Sequence, residues 1–214
     1  MIEEVARHAG HADIIRETLD GTRSSQLPPR PSRTAGRTLR LCSRMASDHS
    51  FTCTCCGEPH ADVPMNFSSP APVYWDESLA EDRYSMLTSD QCVIKGEHFF
   101  VRGLVEPPVI GSDEVFSWGV RVSLSPANHA RAAEVWDTPG RESEPPYFGW
   151  FATELPIYRP TTVNLKTRLH TRPVGERPWI ELEPTDHPLA VEQRTGITMD
   201  RVREIAETVL DSGR

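Results

Sequence analysis

The chain has 214 residues, 37% of them hydrophobic and 25% charged, and a formal net charge of −8. That length suits one domain, or one domain and a tail, and no stretch approaches the roughly 18 apolar residues of a membrane span. The acidic balance repels a phosphate backbone, so neither nucleic acid nor membrane is expected as a partner, and the expected setting is cytoplasmic.

The charge is unevenly spread. Residues 1–44 hold eight arginines against five acids, leaving 15 basic and 26 acidic residues for the remainder. Met1–Asp20 has a few helically spaced apolar positions, whereas Gly21–Arg44 is rich in Arg, Ser, Thr and Pro and has almost nothing to bury, a composition that cannot offset its own ordering entropy. All five tryptophans and all four tyrosines lie beyond residue 73. Residues 1–44 are therefore expected to be a disordered or non-native N-terminal extension, and 45–214 a single domain opening at Met45. A regulatory or targeting arm is the alternative, and N-terminal sequencing of the native protein decides between them.

The densest chemistry follows at Phe51-Thr-Cys53-Thr-Cys55-Cys56-Gly57-Glu58-Pro59-His60, which holds three of the five cysteines. An odd, clustered set of cysteines is not a secreted disulfide framework. Cys53-x-x-Cys56-Gly57 has the local form of a zinc knuckle: two thiolates three positions apart can share an ion where the backbone turns, and glycine eases that turn. His60 could add an imidazole, and Cys92 is the one cysteine left downstream. Small thiols packed in a core are the competing reading.

Pro64–Pro72 is a Pro/Ser-rich loop, and Glu77–Tyr84 suits one or two helical turns. Gln91–Ile94 and His98–Leu104 are short strands flanking a Lys95-Gly96-Glu97 turn. Phe116–Leu124 alternates over nine residues, one face apolar and the other Ser117, Gly119, Arg121 and Ser123, which marks a strand. Ser125-Pro126 is an N-cap followed by a first-turn proline, opening a helix to Trp136. Tyr147–Glu154, Val163–His170 and Trp179–Glu183 are further strands, the middle one carrying Lys166, Arg168 and His170 on a cationic face. That face is either solvated or an anion site. Pro188–Arg194 forms a short helix closed by Gly196, with Asp186 as its cap. Thr198 caps a last helix whose Val202, Ile205, Ala206, Val209 and Leu210 recur at helical spacing. The fold class is thus α+β: a mainly antiparallel β-meander with one insertion helix, a C-terminal covering helix and a small Cys-rich N-terminal knuckle.

Scattered blocks along this body resemble a bacterial family known as domain of unknown function number 2199. They include Phe51-x-Cys53-x-x-Cys56-Gly57-x-x-His60, Ser89-Asp90-x-Cys92, Phe99-Phe100-Val101-Arg102-Gly103 and Trp118-Gly119-x-x-Val122-Ser123-Leu124. Tyr147-Phe148-Gly149-Trp150, Leu165-Lys166 and the run from Arg177 through Glu183-Pro184-x-Asp186-His187-Pro188 to Gly196-Ile197 continue them. The resemblance spans about residues 51–209 and none of 1–44. It implies no assigned activity, but it puts Cys53, Cys56, His60 and Cys92 in family blocks and leaves Cys42 and Cys55 outside. This favours a structural zinc held by those four residues.

Two functions compete. One is a zinc-stabilised protein-binding or regulatory module, in which exposed tryptophans would supply anchors, although Trp118 on its alternating strand is expected in the core. The other is an enzyme of unknown reaction using a polar pocket near Arg102, Lys166 and His187. No nucleophile elbow, His-Glu-x-x-His or phosphate-cradling loop is present. Convergence of those three residues in one pocket is what the enzyme reading requires.

Overall fold

The computed structural model describes residues 51–52, 59–60 and 63–212. In chain order these form β1 (Phe51–Thr52), β2 (Pro59–His60), β3 (Asn66–Ser68), a 3-10 turn at Glu77–Glu81, β4 (Met86–Leu87), β5 (Gln91–Ile94) and β6 (His98–Val105). There follow β7 (Ser117–Leu124), α1 (Pro126–Glu134), β8 (Tyr147–Phe151), β9 (Lys166–His170), β10 (Trp179–Leu182), α2 (Pro188–Thr195) and α3 (Met199–Ser212).

The meander closes on itself. From β6 to β10 each strand pairs antiparallel with the next, and β10 then lies parallel to β6, Trp179 opposite Leu104. The result is a five-stranded barrel. The short extensions β5 and β4 continue from β6, and β3 runs parallel to β7. The meander is mainly antiparallel, as expected, with two parallel pairings. Closure depends on Gly103, where a Cβ would stand 2.5 Å from Ile180 Cδ1 and 2.8 Å from the Pro178 carbonyl. No side chain fits between β6 and β10 there.

Period-2 alternation decides what fills the barrel. Val101, Val105, Val120, Val122, Phe151, Leu169 and Ile180 point inward and are buried. Leu189 and Ala190 of α2 and Val202, Ile205 and Ala206 of α3 join the same core, so the C-terminal helices cover the barrel as their apolar spacing predicts. Trp118 is in this core, edge-on to Phe116 at 5.4 Å.

Local chemistry sets the ends of elements. Lys95 and Gly96 are both left-handed, at φ 54° and 68°, which closes the β5–β6 hairpin. The Ser125 hydroxyl accepts from the Asn128 amide at 3.2 Å and starts α1, which stops at Glu134 rather than Trp136. Strand β9 begins at Lys166 instead of Val163, because Asn164 adopts φ 65° and turns the chain. The cap of α2 is also corrected. His187 is the N-cap residue, its Nδ1 accepting from the Leu189 amide at 3.2 Å, while Asp186 is exposed.

The segment 69–90 wraps the outside of the barrel. The Val73 amide donates to the Ala152 carbonyl at 2.9 Å, and Trp75, Leu79 and Leu87 pack on Cys92, Ile94, Phe100 and Ala152 in a second apolar cluster. The outer face of β7, polar in sequence, is consequently covered: Ser117 and Arg121 are both buried.

Candidate interaction face

Strand β8 has aromatic residues on both its faces. Tyr147, Gly149 and Phe151 point inward, whereas Phe148 and Trp150 point outward and are each 41% exposed. Their rings meet edge to face at 5.3 Å and 83°, a favoured aromatic geometry. Gly149 between them permits the close β7–β8 approach, since a Cβ would come within 2.4 Å of the Ser123 carbonyl.

Next to this pair the register of β9 sets two cations. Arg168 is opposite Phe148 and Lys166 opposite Trp150. Both side chains are exposed, and Arg168 reaches Glu183 only at 4.0 Å. On the other side Ser123 faces Trp150, and Phe100 faces Ser123. Tyr74, 50% exposed, stacks over Phe100 at 5.9 Å and donates its hydroxyl to Asn164 Oδ1 at 3.2 Å. Phe100 and Trp150 are two strand spacings apart, about 10 Å. The outer wall therefore presents Tyr74, Trp150 and Phe148 in a row, bordered by Lys166 and Arg168. Beyond Arg168, His170 meets Glu181 at 2.8 Å and Trp179 at 4.9 Å.

The three residues expected in an enzyme pocket are brought to different places. Lys166 is on the exposed wall. Arg102 sits on the outer face of β6 beneath the wrapping segment, its Nη1 donating to the Ser89 carbonyl at 3.3 Å. His187 is buried at the start of α2, with its Nε2 at 3.0 Å from the Pro160 carbonyl and its Nδ1 used in the cap. With both nitrogens engaged by backbone, His187 has a structural task, and the three side chains have three different surroundings.

Of the four residues expected at zinc, Cys53 and Cys56 lie outside the described residues, and His60 is described only as the end of β2. Strands β1 and β2 pair antiparallel, Phe51 with His60 and Thr52 with Pro59, so a hairpin brackets the Cys-x-x-Cys segment. Cys92 is fully buried in the second apolar cluster. Burial pushes its thiol up to about 11, against the pull of Arg121, so Cys92 without metal is a packed, protonated thiol. Among the described residues no three His, Cys, Asp or Glu side chains gather as a metal would need.

A second polar cluster lies under the wrapping segment. Arg121 is fully buried, with its Nη2 donating to the carbonyls of Pro70, Thr88 and Ser89 at 2.9, 2.7 and 3.0 Å. Burial first, and then the neighbouring Arg102, bring Arg121 down to about 10. Asp90 is buried and accepts from Arg177 Nε at 2.6 Å and from the Ser89 hydroxyl at 2.7 Å. Burial is the largest influence on Asp90 and would raise it, but Arg177, Ser89 and Arg102 together hold it below the usual carboxylate range.

Residues 52–197 match the family model described as an uncharacterized protein conserved in bacteria, domain of unknown function 2199. The chain belongs to that family. The family match takes in the whole barrel, the wrapping segment and α2, and with them every residue of the exposed aromatic row. Residues 1–21 match a second model, described as mycothiol-S-transferase. No curated protein and no solved structure matches the chain. Among the described residues, no helix is long and apolar enough to cross a membrane.

The aromatic row was not singled out from sequence, although its signal was present. Tyr-Phe-Gly-Trp-Phe has no polar position on either strand face, which in a strand with one covered face means aromatic rings in water. Arg121 was read as one of the polar, outward residues of its strand. Its outward direction was right; its cover, arriving from residues 70 and 88–89, left no local trace.

Proposed function

We propose that this domain is a cytoplasmic protein-binding module, and that Tyr74, Phe148 and Trp150 with Lys166 and Arg168 form its contact face. The observation that carries this reading is the pair of aromatic rings standing 41% exposed on a barrel wall beside two exposed cations. Exposed contiguous aromatic surface is costly in a monomer, and such side chains dominate binding energy where they are rigidly held. The occupant that fits is a short peptide segment with apolar side chains for the rings and a carboxylate for Lys166 or Arg168. A long polyanion suits the face poorly, because the chain as a whole carries −8 and repels it at long range.

Selection of a random peptide library on the full chain tests this. Enriched peptides should pair Asp or Glu with apolar residues, bind the parent, and lose binding by tenfold or more to Trp150→Ala and to Lys166→Glu/Arg168→Glu. Peptides that bind those variants equally would sink the reading. So would tight, salt-dependent capture of single-stranded oligonucleotide by the same face.

The proposal includes a structural zinc in the β1–β2 hairpin, with Cys53, Cys56, His60 and Cys92 as its ligand set. Support comes from the knuckle spacing and from the hairpin that brackets it; Cys92, packed among apolar side chains, is the least suited of the four. About one zinc per chain in the parent, lost together with thermal stability in Cys53→Ser/Cys56→Ser, is the expected result. A parent free of metal whose double variant melts at the same temperature would remove zinc from the proposal.

A further inference from the structure

Two residues other than glycine have positive φ among the described residues, Lys95 at 54° and Asn164 at 65°. Lys95 belongs to the β5–β6 hairpin, where a tight turn needs that conformation. Asn164 ends the long connection from β8 to β9, and asparagine is one of the few side chains that tolerate the left-handed region. Its amide donates to the Phe151 carbonyl at 2.8 Å, and the Phe151 amide donates to the Leu165 carbonyl at 2.8 Å. These two bonds clip the turn onto the end of β8, so that β9 starts with Lys166 opposite Trp150.

The same residue reaches the other flank of the exposed aromatic row. Its Oδ1 accepts from the Tyr74 hydroxyl at 3.2 Å, across 90 residues of chain. Tyr74 comes from the wrapping segment, which is tied alongside by the Val73 amide on the Ala152 carbonyl at 2.9 Å. The Phe100 ring, 5.9 Å away and at 29°, sets the plane of the Tyr74 ring, and the bond to Asn164 fixes its tip. A ring 50% exposed thus loses freedom before any ligand arrives, and ordering a side chain in advance spares that cost on binding.

We propose that Asn164 is a positioning residue of the aromatic wall, holding Tyr74 in register with Trp150 and Lys166 so that one ligand segment meets all three. The inference rests on that wall being a contact face, as proposed above. The ligand meets the Tyr74 ring, and the hydroxyl acts through Asn164.

The test compares the full-length parent with Tyr74→Phe, Asn164→Gly and the double variant. Glycine accepts positive φ, so Asn164→Gly removes Oδ1 and keeps the turn, with a urea midpoint close to the parent's. Tyr74→Phe leaves the turn untouched and carries the test should Asn164→Gly fail to fold. The first readout is NMR side-chain order of the ring at position 74 in the free proteins, which should fall in both single variants. The second is the Kd of a peptide enriched on the parent from the random library. Each single variant should weaken it roughly two- to tenfold, and the double variant no further than either. A ring as ordered in the single variants as in the parent would overturn the proposal, whether or not a peptide has been enriched. So would additive losses, because the hydroxyl would then act on the peptide directly. Binding lost in Trp150→Ala but unchanged in Asn164→Gly would strike the positioning role alone, whereas binding unchanged in both would strike the contact face with it.

Discussion

Arg141 and Arg121 both lie buried beneath a loop and both gather backbone carbonyls, but they spend their nitrogens differently. Arg141 uses all three: Nε donates to Arg172 O at 2.7 Å, Nη1 to Trp136 O at 2.5 Å, and Nη2 to Pro173 O and Glu176 O at 3.2 and 2.8 Å. Its guanidinium also stands 5.0 Å over the Trp136 ring. Arg121 uses one nitrogen three times and leaves two bare. Burial lowers both pKa values, but around Arg141 it is opposed by Asp137, Glu142 and Glu176, whereas Arg121 has a second cation beside it. Where a loop has little to bury, a planar five-donor cation can replace an apolar core by satisfying carbonyls that would otherwise face inward unpaired. Arg141 is that solution completed, and Arg121 is the same solution with part of its donor set left over.

The largest effect is expected where the set is complete. Arg141→Met should lower unfolding free energy by about 3–5 kcal/mol, the range for leaving buried polar partners uncompensated. Arg121→Met should lose clearly less. That variant gives up three carbonyl bonds but also removes an unsatisfied charge opposite Arg102. Urea unfolding of both variants checks this. Equal losses would erase the distinction, and a larger loss for Arg121 would invert it.

His129 sharpens the comparison, because it is a buried basic group that can discharge. It lies on α1, 4.9 Å from the Phe99 ring, and its Nε2 is buried without a partner. Burial takes its pKa down to about 4. The folded value is below the unfolded one, so the unfolded chain takes the proton first as pH falls. Stability is complete above the unfolded value, near 6.5, and declines towards the folded value. By pH 5 this amounts to about 2 kcal/mol. Asp90, held below the usual carboxylate range, keeps its charge in that window and contributes no slope there. Urea midpoints measured from pH 7 to 5 should fall in the parent and hold nearly level in His129→Gln. Parallel lines for the two proteins would refute the assignment.

What could be read from sequence follows the same division between local and distant causes. The nine-residue alternation of Phe116–Leu124, the Lys95-Gly96 turn, the Ser125-Pro126 cap and the spacing of Val202, Ile205 and Ala206 each have their cause within a few residues, and each appears in the fold. Three-residue β3 is too short to show a period, so it was read as part of the Pro64–Pro72 loop. Barrel closure rests on Trp179 lying beside Leu104, strands far apart in the chain. Alternation also says which residues share a face without saying what covers it. Hence Arg121 was assigned to a polar face but not to a buried one, and Phe148 and Trp150 were placed in a strand without being recognised as exposed. Cys53 and Cys56, the most conspicuous residues in the sequence, fall outside the described residues, so the knuckle stands on spacing and on the β1–β2 pairing alone.

The smallest effect on stability is expected on the aromatic wall, where the largest effect on binding is proposed. Phe148 and Trp150 are each 41% exposed, and their rings meet edge to face. Truncating either ring removes only the covered part of its apolar area, so at roughly 25 cal/mol per Å² each single truncation should cost less than that of a fully buried ring. Phe151, one position along and fully buried in the barrel, is the internal control: Phe151→Ala should cost about 3–5 kcal/mol. A Phe148→Ala/Trp150→Ala protein that keeps its urea midpoint would mark the pair as dispensable for folding, as residues retained for a contact should be. If that double variant instead unfolded as readily as Phe151→Ala, the rings would be part of the structural core, and the case for an interaction face would lose its main support.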